Sequence, residues 1–374
     1  MRGSRFGRHA RACVVIAAGV AVVAAPVKAS AGSSPWRAQT SGEQEHLHGI
    51  FALNGCDVWS VGEEAGTNTT PGQAVITATT DGGAHWKSQH FPKGAAVGTT
   101  MNRILFVDKN NGYAVGENNN TGSGESGKPN FLRTTNGGKT WIDQTSNLPA
   151  AADGGVGNEA DIEGLSARGR DVWITVAIYP AAGPVGLILF SDDRGKTWTV
   201  QQTWGGSFDS ISMASDGTYG WATSNITPAF NDQGLWRTTN GGNTWTMVAT
   251  TSSSAEQVFA ISDTHAVIVE EGTIEYTLNG TTLNTATIPA QVAGNTLTDV
   301  SIGDHGVGYA TGELSGGLLK TEDGGMTWTW QDSNISGLNT YNGVTVAHDT
   351  KFAWITGEGG SIGANTAASK ACHK

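Results

Sequence analysis

The chain has 374 residues, with 33 acidic and 22 basic side chains and a formal net charge of −11. That balance argues against nucleic acid and anionic membrane surfaces as partners, because both repel it. Fifty-three glycines imply many tight turns, but thirteen tryptophans argue against disorder, since buried aromatics offset the entropy of ordering.

The N-terminus reads as a targeting segment. Arg2, Arg5, Arg8 and Arg11 precede an apolar run from Cys13 to Ala25, and Ala29-Ser30-Ala31 follows with small residues. Residues 1–31 are therefore predicted to be a Sec-type signal peptide. The apolar run is too short to anchor in a bilayer, and no later stretch has the length of a spanning helix. Removing residues 1–31 takes away five basic residues and no acidic one, leaving 17 basic against 33 acidic and a net charge of −16. The remainder, 32–374, is expected to be a single soluble, monomeric domain, secreted or periplasmic, with Cys56 and Cys372 as its remaining cysteines. Two cysteines in an exported chain suggest one disulfide.

An eight-residue element then recurs along the chain. It runs Thr79 to Trp86, Thr134 to Trp141, Ser191 to Trp198, Thr238 to Trp245 and Thr321 to Trp328, with Asp81, Asn136, Asp193, Asn240 and Asp323 at its third position. The pattern is an Asp-box hairpin turn. Its Asp or Asn accepts nearby amides, its glycine takes a positive φ, and its Trp packs over the turn. Each box sits late in a unit of four short strands, which is one propeller blade.

A fifth unit keeps the strand rhythm while its box has decayed to Tyr276-Thr277-Leu278-Asn279-Gly280-Thr281-Thr282-Leu283. The last unit holds only three strands, and Pro35 to Thr40 resembles the strand that follows a box, as in Thr140 to Thr145. Pairing the two chain ends hides both sheet edges. The predicted fold is therefore all-β, a seven-bladed propeller of four-stranded antiparallel blades closed by its N-terminal strand. Cys56 and Cys372 then fall on one face, in adjacent blades across the closure, where a disulfide is predicted.

The boxes are structural on this reading, so functional candidates lie on the opposite face. Four residues after the second-strand aromatic come Glu63, Glu117, Glu271, Glu313 and Glu358, with Ala177 and Asn225 at the same place in blades three and four. They form a candidate carboxylate ring around one mouth of the channel, able to bind a divalent cation or a cationic ligand. The loops on this face are long in blades one to four, among them 63–73, 118–130 and 150–161. Asp153, Asn158, Glu159, Asp161 and Glu163 make an oxygen-rich stretch in which Asp153, Glu159 and Asp161 are candidate Ca²⁺ ligands. No other cofactor is expected. Trp204 and Phe208, beside Gly205-Gly206, are candidate exposed stacking residues for a sugar or a protein partner.

Units such as Gly112 to Glu117 followed by Phe131 to Trp141 resemble the photosystem II assembly/stability factor family, within the wider sialidase-like group of Asp-box propellers. The resemblance covers essentially the whole chain after residue 31. It implies a non-catalytic exported protein that presents one loop-rich face to a protein or glycan partner. The alternative is a carbohydrate-active enzyme that uses carboxylates of the same face. Of a sialidase signature only Asn102-Arg103-Ile104-Leu105 is present, without its aromatic and its proline.

Overall fold

The computed structural model describes residues 35–44, 46–64, 73–89, 100–118, 127–225, 233–335, 340–348, 350–365 and 372. The predicted signal peptide lies outside these residues, as do most of the long loops 63–73 and 118–130. No helix among the described residues is long and apolar enough to cross a membrane.

Seven four-stranded antiparallel sheets follow one another around a ring, as blades over 47–88, 100–143, 159–204, 207–250, 255–285, 297–332 and 341–365. The seventh blade takes its outer strand, Trp36–Thr40, from the other end of the chain; Trp36 pairs with Asn365 and Thr40 with Ser361. Cys56 and Cys372 are joined, with Cα atoms 5.5 Å apart. The predicted seven blades, the closure and the disulfide pair are all present.

The boxes join blades as well as turning the chain. In each one the amide four residues on donates to the Asp or Asn carboxyl or amide oxygen, at 2.9–3.0 Å. Although slight burial works the other way, these donors hold Asp81 and Asp193 down to about 2. In blades one, two and four a glutamine at the outer strand of the preceding blade then clasps the turn, while Trp198 and Trp328 donate to the Gly195 and Gly325 carbonyls of their own boxes. Gln39 accepts from the Trp86 indole at 3.1 Å and donates to the Gly82 carbonyl at 2.8 Å. Gln89 does the same for Trp141 and Gly137, and Gln201 for Trp245 and Gly241. The second box glycine is needed for this contact. A Cβ on Gly83 would lie 1.9 Å from the Gln39 oxygen, in addition to the φ of 91°. In the decayed fifth blade Arg237 takes the glutamine's place, its guanidinium lying against Gly280 and over the Trp221 ring.

The inner strands are where the chain departs from simple alternation. In all seven blades the register against the second strand slips by one residue at the same point, beside His48, Asn102, Glu163, Asp209, Glu256, Thr298 and Asn342. Each is a β-bulge, which re-aims a side chain. Opposite the bulge, four blades carry a glycine that the crossing chain requires. A Cβ on Gly62, Gly116, Gly312 or Gly357 would lie 2.0–2.4 Å from a carbonyl oxygen at the entry to the inner strand. Gly116→Ala is expected to cost about 1–3 kcal/mol through overpacking, read as a lower midpoint in thermal unfolding. An unchanged midpoint would remove this role for the glycine.

Candidate functional site

An inner strand is a sheet edge facing the channel, so its backbone donors and acceptors need partners from elsewhere. Neighbouring blades supply them in a repeated pattern. The bulged Asn102, Thr298 and Asn342 donate to the carbonyls of Ile162, Tyr341 and Leu47, each the residue just before the next blade's bulge, at 3.4, 2.9 and 3.0 Å. Three positions beyond the bulge, Ser166, Ser212, Ser301 and Thr345 accept amides from the next inner strand at 3.0–3.2 Å. The channel wall is thus stitched circumferentially by side chains.

Blades three, four and five break this pattern at the bulge itself. Glu163, Asp209 and Glu256 stand there in succession, partly exposed, and a carboxylate has no proton to donate. In blade four a substitute has appeared. Asn225 donates to Asp209 and to the Ala255 carbonyl, and accepts the Ala255 amide at 2.9 Å. The mouth of the channel therefore has an acidic arc over three blades. The bulges of blades one, two, six and seven present His48, Asn102, Thr298 and Asn342.

One layer deeper, Ser210, Gln257 and Asp299 form a relay. Ser210 donates to Gln257, which donates to Asp299 at 3.2 Å, and Asp299 accepts the Val344 amide at 2.9 Å. Burial raises the Asp299 carboxyl, while the charge of Arg103 opposes that rise. The incomplete sialidase signature thus resolves into a bulge residue, Asn102, and a charge partner for a buried aspartate, Arg103.

The predicted carboxylate ring occupies equivalent register positions. Glu63 donates its amide to His46, Glu313 donates its amide to Thr296, and Glu117 pairs with Thr100. Their surroundings differ, however. The neighbouring His48 ring, aided by Thr100, holds the Glu63 carboxyl below the usual range; Thr100 donates to it at 2.9 Å. Glu271 and Glu313 are exposed, and Glu358 lies in a short 3-10 turn, Glu358–Gly360.

Glu117 instead gathers with two of the predicted Ca²⁺ ligands. Carboxylate oxygens of Glu117, Glu159 and Asp161 lie within 4.8 Å of one another, which among the described residues is the single group of three suited to a metal ion. Such hard oxygen donors fit Ca²⁺. Asp153 stands apart from them. Its loop wraps the Lys128 ammonium, which donates to the Asp153 and Gly155 carbonyls at 2.9 and 2.6 Å. Glu163 belongs to the bulge ring. The predicted stacking pair is corrected: Phe208 is fully buried, and Trp204 packs edge-on against Trp236 with centroids 5.1 Å apart. Phe208 is the apolar residue just before a bulge, so it must point into the blade.

The chain matches no protein-family model and no curated protein. Its fold does have solved counterparts. YCF48 bound to a D1 peptide superposes with a TM-score of 0.61 at 18% identity, covering 89% of this chain and 97% of that one. YCF48 from Cyanidioschyzon merolae gives 0.60 at 16% identity, over 88% and 98%. A catalytically inactive histidine-to-alanine variant of virginiamycin B lyase from Staphylococcus aureus, with quinupristin, gives 0.59 at 14%, over 88% and 98%. The likeness is one of fold. It joins a peptide-bound protein and a lyase, and lends no support to glycoside hydrolysis.

Proposed function

We propose that this protein is an exported, non-catalytic binding propeller whose channel-mouth face takes a basic peptide segment of a partner protein. The observation that carries this reading is the run of Glu163, Asp209 and Glu256 at three successive inner-strand bulges, where blades two, six and seven use neutral donors to close the wall. Charge converging on a concave, low-dielectric mouth focuses the field and favours a cationic ligand. The net charge of −16 left after removal of residues 1–31 acts in the same direction. The resemblance to photosystem II assembly factors supports a protein partner, as does the peptide bound by YCF48 on a similar fold. Export rests on the N-terminal segment, and the Glu117, Glu159 and Asp161 group would hold Ca²⁺ beside the same mouth.

An array of short basic, neutral and acidic peptides tests the reading. Selective binding of basic sequences, weakening as salt is raised, is expected. Equal binding of all three classes, or turnover of a carbohydrate or cyclic peptide by the purified protein, would count against it.

A further inference from the structure

Two glutamates in blade five are buried side by side. Glu270 ends the second strand, Ala266–Glu270, and Glu275 lies in the third, Thr273–Thr277. They are 0% and 7% exposed. One Glu270 oxygen accepts the Ser252 hydroxyl at 3.0 Å and the Ser253 amide and hydroxyl at 2.8 Å. Glu275 accepts the Ser252 amide at 3.3 Å. The other Glu270 oxygen is buried and receives no donor. The surrounding elements are the inner strand Ala255–Ala260, residues 251–254 and, on the side shared with Ile268, the blade-four strands Gly220–Asn225 and Gly234–Thr238. They bring Glu256, with Glu271 following in the turn, and one cation, Arg237, whose guanidinium is engaged at the Asp263 carbonyl and beside Gly280.

Two adjacent carboxylates in such a place cannot both ionise. We propose that Glu270 and Glu275 share one proton and act as a proton-held latch on residues 251–254, the rim from which the inner strand bearing Glu256 departs. Ser252 and Ser253 are tied to this pair, and Ala255 is tied to Asn225 and through it to Asp209. The latch therefore governs the rim between two members of the acidic arc. It exists independently of what the mouth binds.

The direction of the pH effect follows from where the proton sits. Burial, with Glu275 adding to it, pushes the Glu270 carboxyl up to about 8. A carboxyl raised in the closed state gives a latch fully stable below the ordinary carboxylate range. That stability is lost progressively as pH rises, and the loss levels off above about 8. Above that point the rim is looser and carries one more negative charge.

Infrared spectroscopy in heavy water and hydrogen exchange at the Ser253 amide, on the full chain, test this together. The wild type should show a protonated-carboxyl band at neutral pH that titrates away near 8, and Ser253 protection that falls roughly tenfold per pH unit on the way. Glu270→Gln should lose the part of the band that titrates near 8 and keep its protection at all these pH values. Its amide still donates to Glu275, and its oxygen still accepts from Ser252 and Ser253. Should that variant fail to fold, Glu275→Gln must likewise lose that part of the band. A wild type without a protonated-carboxyl band at neutral pH overturns the proposal, as does the same fall in protection in Glu270→Gln.

Discussion

Trp36→Ala is expected to cost about 3–5 kcal/mol, the range for a buried tryptophan cut to a methyl group, and to open the ring between blades six and seven. Trp36 is 4% exposed although it stands next to the first described residue of the chain. It meets Tyr309 edge-on at 5.1 Å and packs with Leu318, Tyr341, Val344 and Ile355. Its indole reaches Gln331 of blade six at 3.4 Å. One side chain from the N-terminal strand thus joins blades six and seven, while Gln39 from the same strand clasps the box of blade one. The disulfide limits how far the loss can spread. Its partners are 316 residues apart, a loop whose closure contributes roughly 6 kcal/mol in the chain-entropy model. Reduction and Trp36→Ala together should therefore unfold the chain at a clearly lower temperature than either change alone. Thermal unfolding followed by tryptophan fluorescence with and without reductant reads this. Independence from reductant in both proteins would show that the closure does not depend on Cys56–Cys372.

Neutralising the acidic arc is expected to abolish most binding of basic peptides. Glu163→Gln, Asp209→Asn and Glu256→Gln together remove three charges while keeping shape, and affinity should fall at least about tenfold to a hundredfold, at roughly 1 kcal/mol for each partly exposed pair. The dependence on salt should flatten as well. Asn225 can still bond residue 209 after Asp209→Asn, so blade four should keep its fold; the test is an unchanged thermal midpoint beside the changed affinity. A control of equal charge replaces Asp192, Asp263 and Glu322, carboxylates in or beside turns on the opposite face. If the control loses binding as much as the arc variant does, the field of the whole protein rather than the mouth is responsible.

The fold was legible because a propeller repeats its most specific chemistry. Box residues such as Asp81 and Trp86 serve both the turn and the next blade, so their pattern persisted in five copies. The clasping glutamines Gln39, Gln89 and Gln201 leave no common sequence signal, because a contact between blades makes no mark on local periodicity. The site was less legible. Second-strand glutamates drew attention by recurring, yet register gives them equivalent backbone positions and different surroundings. The bulge ring did leave a signal. Each inner strand carries buried apolar residues three apart, as in Leu47 and Ile50, Phe208 and Ile211, or Leu297 and Val300, where a regular strand has them two apart. The odd residue in that gap is the one the bulge turns toward the channel, and it also explains why Phe208 is core while Asp209 is at the mouth.

The proposed binding surface is the channel mouth, on the face away from the boxes. Site-directed photo-crosslinking measures that most directly. A photoreactive residue at Thr298 or Asn102, in the bulge ring, is compared with one at Thr244, on an exposed box turn, each with a basic peptide selected on the array. Cross-links from Thr298 and Asn102 and none from Thr244 are expected. Cross-links from Thr244 alone would place binding on the box face instead.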